Sequence, residues 1–89
     1  MSTQISDWRA AIDCLDGQLL TLLNMRAKLA CELGKVKREA GIEIVDPERE
    51  QQVLARVCQR NDGPLDQQAI TRIYASIIAE ARRVQAGAE

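Results

Sequence analysis

One uninterrupted helical signal, WRAAIDCLDGQLLTLLNMRAKLACELGKVKREAG from Trp8 to Gly41, restricts what this chain can fold into more than any other part of it. Apolar residues recur at Ile12, Leu15, Leu19, Leu22, Leu23, Ala30 and Leu33, the spacing of one face of an α-helix. At 1.5 Å rise per residue such a helix is about 50 Å long. A compact globule of 89 residues is only about 30 Å across, with a radius of gyration near 12 Å, and buries roughly two-thirds of its unfolded surface. One chain cannot cover that helix. The spacing therefore predicts an obligate oligomer, most simply a two-fold dimer in which the long helices pack on each other.

Two cations interrupt the stripe. Projected at 100° per residue, Arg26 falls between Leu22 and Ala30, and Lys37 continues the line one turn beyond Leu33. From the centre of an apolar stripe a charged head reaches water only through a cavity. Ser6 is expected as the N-cap, with Asp7 in the first turn and Lys35, Lys37 and Arg38 in the last turns before Gly41 stops the helix. Gly34 either admits close approach of another backbone or a ligand near Lys37, or is a tolerated defect.

A short connection, 42–45, leads to DPEREQQVLARVCQRNDGP. Asp46 as N-cap with Pro47 at the first helical position starts a second helix, which runs to about Arg60. Its stripe is Val53, Leu54, Val57 and Cys58, and Glu50 projects onto the centre of it with Asp46 one turn earlier. Leu65 and Asp66 open a third helix. That helix buries Ile70, Ile73, Tyr74, Ile77, Ile78, Ala81 and Val84, carries Gln85 on the stripe's edge, leaves Arg72, Arg82 and Arg83 outside it, and ends in a fraying 86–89. No strand pair, repeat or linker is present, so the fold is read as all-α: one domain, 1–89, of one very long and two shorter helices.

Several function classes are excluded. Twelve Lys and Arg against 13 Asp and Glu, without a basic run, give nucleic-acid binding no support. The N-terminus lacks a signal-peptide pattern and no apolar run is long enough to span a membrane, so a cytoplasmic location is expected. Three widely spaced cysteines, Cys14, Cys31 and Cys58, read as reduced thiols. There is no histidine, which removes His-assisted nucleophiles, the commonest general base and the commonest zinc ligand.

Arg26, Lys37, Asp46, Glu50 and Gln85 thus come from all three helices and all fall on or near apolar stripes. A pairing such as Arg26 with Glu50 accounts for two of them, but burying charges only to pair them is a poor route to stability in a small domain. A polar ligand cavity accounts for all five. Arg26 and Lys37, about 16 Å apart along the axis, would clasp opposite ends of a small anion. A dicarboxylate bearing a hydroxyl and a further oxygen fits the donors and acceptors offered. Arg9, about 25 Å up the axis and roughly 100° off the stripe, is either a solvated arginine or a contribution to the site of an antiparallel partner.

In this order the residues resemble the all-helical (type II) chorismate mutases. The similarity rests on Trp8-Arg9, Ile12-Asp13, Leu15-Asp16, Leu19-Leu20, Leu22-Leu23, Arg26, Leu29-Ala30, Leu33-Gly34-Lys35 and Lys37, then on Asp46 and Arg49-Glu50, and on the closing ITRIYASIIAEARRVQ. The resemblance implies an intertwined homodimer that converts chorismate to prephenate by a Claisen rearrangement, with no cofactor and no metal. It further implies that Arg26 and Arg9 of the partner subunit hold the two carboxylates. Lys37 and Gln85 would meet the ether oxygen, Glu50 and the backbone near Asp46 the ring hydroxyl, and Arg49 would support the site. Ala81 stands where the family often has a serine that touches the ligand. The resemblance leaves two alternatives, an isochorismate-pyruvate lyase of the same fold and a non-catalytic helical dimerisation or regulatory module.

Overall fold

The computed structural model describes residues 2–87, which form three α-helices and no strand. Helix α1 spans Ser2–Ala40, α2 Pro47–Arg60 and α3 Gln67–Gln85. The N-terminus of α1 corrects one expectation. Ser6 and Asp7 lie inside the helix rather than at its start. An N-cap is worth only about 1 kcal/mol, the residues before Trp8 contain no Gly or Pro to break the helix, and Ile5 extends the apolar stripe.

The other ends follow local chemistry. Gly41 takes φ 68°, the left-handed conformation that lets its N–H donate to the Arg38 carbonyl at 3.2 Å while the Ile42 N–H donates to that of Lys37 at 2.8 Å. This paired closure satisfies two orphan carbonyls of α1. Asp46 caps α2 by accepting from the Arg49 N–H at 3.1 Å, and Asp66 caps α3 by accepting from that of Ala69 at 2.8 Å. Between α2 and α3, Asn61 donates to the Leu65 carbonyl and Gln67 to that of Cys58. At the end of α3 the N–H of Ala86 reaches the Arg82 carbonyl. Of the stretch expected to fray, residues 88–89 lie outside the described residues.

Helix α3 packs against both α1 and α2, and α1 and α2 make no comparable contact with each other. The half-buried or buried residues of α1 include Ala27, Ala30, Cys31 and Gly34, a row of small side chains at helical spacing that lets α3 come close. At Gly34 the approach is backbone to backbone: a Cβ there would lie 2.6 Å from the Cα of Gln85 and 2.8 Å from its carbonyl carbon. Of the two readings of Gly34, close approach is therefore the one observed. Ile78 of α3 and Ala30 of α1 are the buried apolar residues. Ile73, expected inside, is half exposed.

The remainder of the α1 stripe has nothing over it. Trp8 is 67% exposed, Leu15 61% and Leu22 62%, and the chain measures 59 × 26 × 15 Å with a radius of gyration of 16.5 Å. No helix among the described residues is long and apolar enough to cross a membrane.

Candidate active site

Because α2 is held to α1 only through α3, a gap remains between α1 and α2, floored by Ile78 and Ala81. This cleft, about 290 Å³ in volume, is lined by Arg26 and Lys37 of α1, Asp46, Arg49 and Glu50 at the start of α2, and Ala81 and Gln85 of α3. Seven of the eight residues singled out from the sequence thus meet in one place. Its walls are apolar, from Leu29, Leu33, Ile44 and Val53.

Lys37 is half-buried and tightly held. Its Nζ donates to the Ile44 carbonyl at 3.1 Å and to Gln85 Oε1 at 3.0 Å, which leaves one of the three ammonium hydrogens for a guest. An ammonium only donates, so Gln85 must present its oxygen to Lys37 and is left with its NH2 as a second donor. Arg38 secures the same residue from outside by donating to the Gln85 main-chain carbonyl. The close approach at Gly34, the Lys37 bond and the Arg38 bond together fix where the Gln85 amide stands.

Arg26, half-buried at the other end of the cleft, has no hydrogen bond or ion pair among the described residues. The suggested pairing of Arg26 with Glu50 is not formed. Glu50 instead takes Arg82, whose Nε lies 3.0 Å from Glu50 Oε2. The sequence pattern sets Arg82 outside the α3 stripe, yet it lines the cleft. The signal is present all the same: on a helical projection Arg82 lies only about 40° from Ile78, within reach of a long side chain snorkelling inward. Asp46 caps α2 as expected, but it is exposed at the cleft rather than facing a core. Arg9 stands exposed on the far part of α1, away from the cleft of its own chain.

Four cations, Arg26, Lys37, Arg49 and Arg82, face two carboxylates, Asp46 and Glu50, so the cleft carries a net charge of 4 − 2 = +2. A cleft of this charge on an all-helical scaffold, with apolar walls and donors at both ends, has the chemistry to take a small dianion.

Residues 8–86 match the chorismate mutase type II family, and the chain belongs to that family. It is 36% identical over 80 residues to a bifunctional chorismate mutase/prephenate dehydratase of Aquifex aeolicus, an alignment covering 85% of this chain but 22% of that protein. The chain thus spans about a fifth of the length of such curated relatives. Among solved structures it superposes on a chorismate mutase from Thermus thermophilus with a TM-score of 0.90 and 28% identity, covering 92% of this chain and 93% of that one. It superposes on the chorismate mutase of Helicobacter pylori in complex with prephenate with a TM-score of 0.87 and 32% identity, covering 96% and 92%.

Proposed function

We propose that the chain is a chorismate mutase that works as a homodimer and converts chorismate to prephenate. The observation that carries this reading is Arg26, a half-buried guanidinium without a partner among the described residues, facing Lys37 across an apolar-walled cleft of net positive charge. Leaving a cation partly desolvated costs stability unless a ligand completes it. The dicarboxylate chorismate would do so, and the prephenate held by the related Helicobacter pylori enzyme is the product of this reaction.

In the rearrangement the bond from the ether oxygen to the ring breaks as a carbon–carbon bond forms from the enolpyruvyl methylene to the ring, within one molecule. No proton is transferred and no covalent intermediate forms, which suits a chain without histidine. Arg26 holds one carboxylate in bidentate fashion and Arg9 of the partner subunit the other, so that the enolpyruvyl group is kept folded over the ring. Lys37 and the Gln85 NH2 donate to the ether oxygen, where negative charge grows as the bond breaks. Glu50 accepts from the ring hydroxyl, beside the Asp46 backbone, and Arg49 adds positive charge at that edge.

The dimer is supported by the uncovered stripe from Ile5 to Leu22 on α1. A second, apolar groove of about 400 Å³ between α1 and α3, lined by Leu20, Leu23, Ile77 and Val84, offers a seat for a partner's helix.

Adding the purified protein to chorismate and following its absorbance tests the reading. First-order loss of chorismate with formation of prephenate is expected. Failure to accelerate that loss, or salicylate and pyruvate released from isochorismate instead, would overturn it.

A further inference from the structure

The Glu50–Arg82 pair raises a problem that the cleft must solve. A carboxylate placed in a site for a dianion repels its guest, and the repulsion is stronger in a partly desolvated cleft than in water. Glu50 nevertheless lines the cleft, with a side chain only 23% exposed, and Arg82, which lines it too, is 45% exposed. The contact runs from Oε2 to Arg82 Nε at 3.0 Å. Oε1 has no hydrogen bond among the described residues. The two residues sit on different helices, so the pair also ties the start of α2 to the last turns of α3.

We propose that Arg82 is a positioning residue: it offsets the charge of Glu50 and holds that carboxylate by Oε2, leaving Oε1 to accept the hydroxyl of the dicarboxylate substrate. This inference rests on the mutase reading and adds a residue to it. Arg82 lines the cleft as well, but its proposed effect on the substrate runs through Glu50. Because the hydroxyl contact and the charge compensation are present in ground state and transition state alike, the effect falls on binding more than on turnover.

The test is a double-mutant cycle in steady-state mutase kinetics. Arg82→Met keeps the apolar stem and removes the charge, and should raise KM about three- to tenfold with kcat within about twofold. Arg82→Lys should restore most of the loss. In a Glu50→Gln background, where no carboxylate remains to be held or offset, Arg82→Met should change kcat/KM less than about twofold. Prephenate should raise the melting temperature of Arg82→Met less than that of the unsubstituted protein, a readout independent of turnover. Equal losses from Arg82→Met in both backgrounds would overturn the proposal, as would an unchanged kcat/KM in Arg82→Met alone. If the unsubstituted chain has no mutase activity, the functional reading fails and this inference with it. If it is active and the cycle is additive, only the role of Arg82 falls.

Discussion

Lys37 and Arg26 are cations of one helix that would meet different atoms of the substrate, and their substitution should therefore register differently. A carboxylate held by Arg26 would carry full charge before, during and after the reaction, so its contact would contribute to binding throughout. An ether oxygen held by Lys37 would gain charge only as the bond breaks. Lys37→Ala should lower kcat by about 10²–10³-fold with little change in KM. Arg26→Ala should instead raise KM by about 10–100-fold, the size of a lost charge-assisted contact. Initial rates across a chorismate titration separate the two, and near-normal turnover of the Lys37 variant would count against its assignment. Both residues were legible in the sequence because each is a charge at a leucine position. Arg82 was legible only as a cation flanking the α3 stripe, since its projection near Ile78 does not say that the side chain reaches inward to a carboxylate on another helix.

At the scale of the elements, the site depends on how closely α3 lies against α1. Gly34→Ala places a methyl group within 3 Å of the Gln85 backbone, and backbone cannot swing aside as a side chain can. It should destabilise the fold by about 1–3 kcal/mol and lower turnover as well, because the Gln85 amide moves away from Lys37. Gly17 provides the contrast. A Cβ there meets nothing within 4 Å, and the residue projects opposite Leu15 and Leu19. Gly17→Ala should stabilise by about 0.5–1 kcal/mol through helix propensity, with activity retained. Thermal melts and turnover of the two variants decide the matter. Helix ends marked by Asp46-Pro47, Asp66 and Gly41 could be read from the chain, since each is dictated by its own residues. The start of α1 could not, because a serine competent to cap competes with an apolar periodicity that continues past it through Ile5. The approach at Gly34 was legible only as one of two alternatives, as the glycine reveals room but not what fills it.

The whole molecule is rod-like, and the single chain buries very little. Its extent of 59 Å is set by α1, and its buried apolar residues, Ala30 and Ile78, are too few to hold such a rod in isolation. On the proposed reading helix length connects stability to chemistry: the stripe that a second copy would cover is also what would carry Arg9 to a cleft about 25 Å away along the axis. The central claim is that each active site is completed across the dimer, and a mixing experiment addresses it most directly. Assayed with chorismate well below KM, Arg9→Ala and Arg26→Ala should each retain no more than about a tenth of the activity as homodimers. After the two variants are unfolded and refolded together, half of the dimers are mixed, and in each of these one site has both arginines intact and the other has neither. About one quarter of the unsubstituted activity should return. No recovery in a sample shown to contain mixed dimers would contradict the account, because Arg9 would then serve its own chain or no site at all.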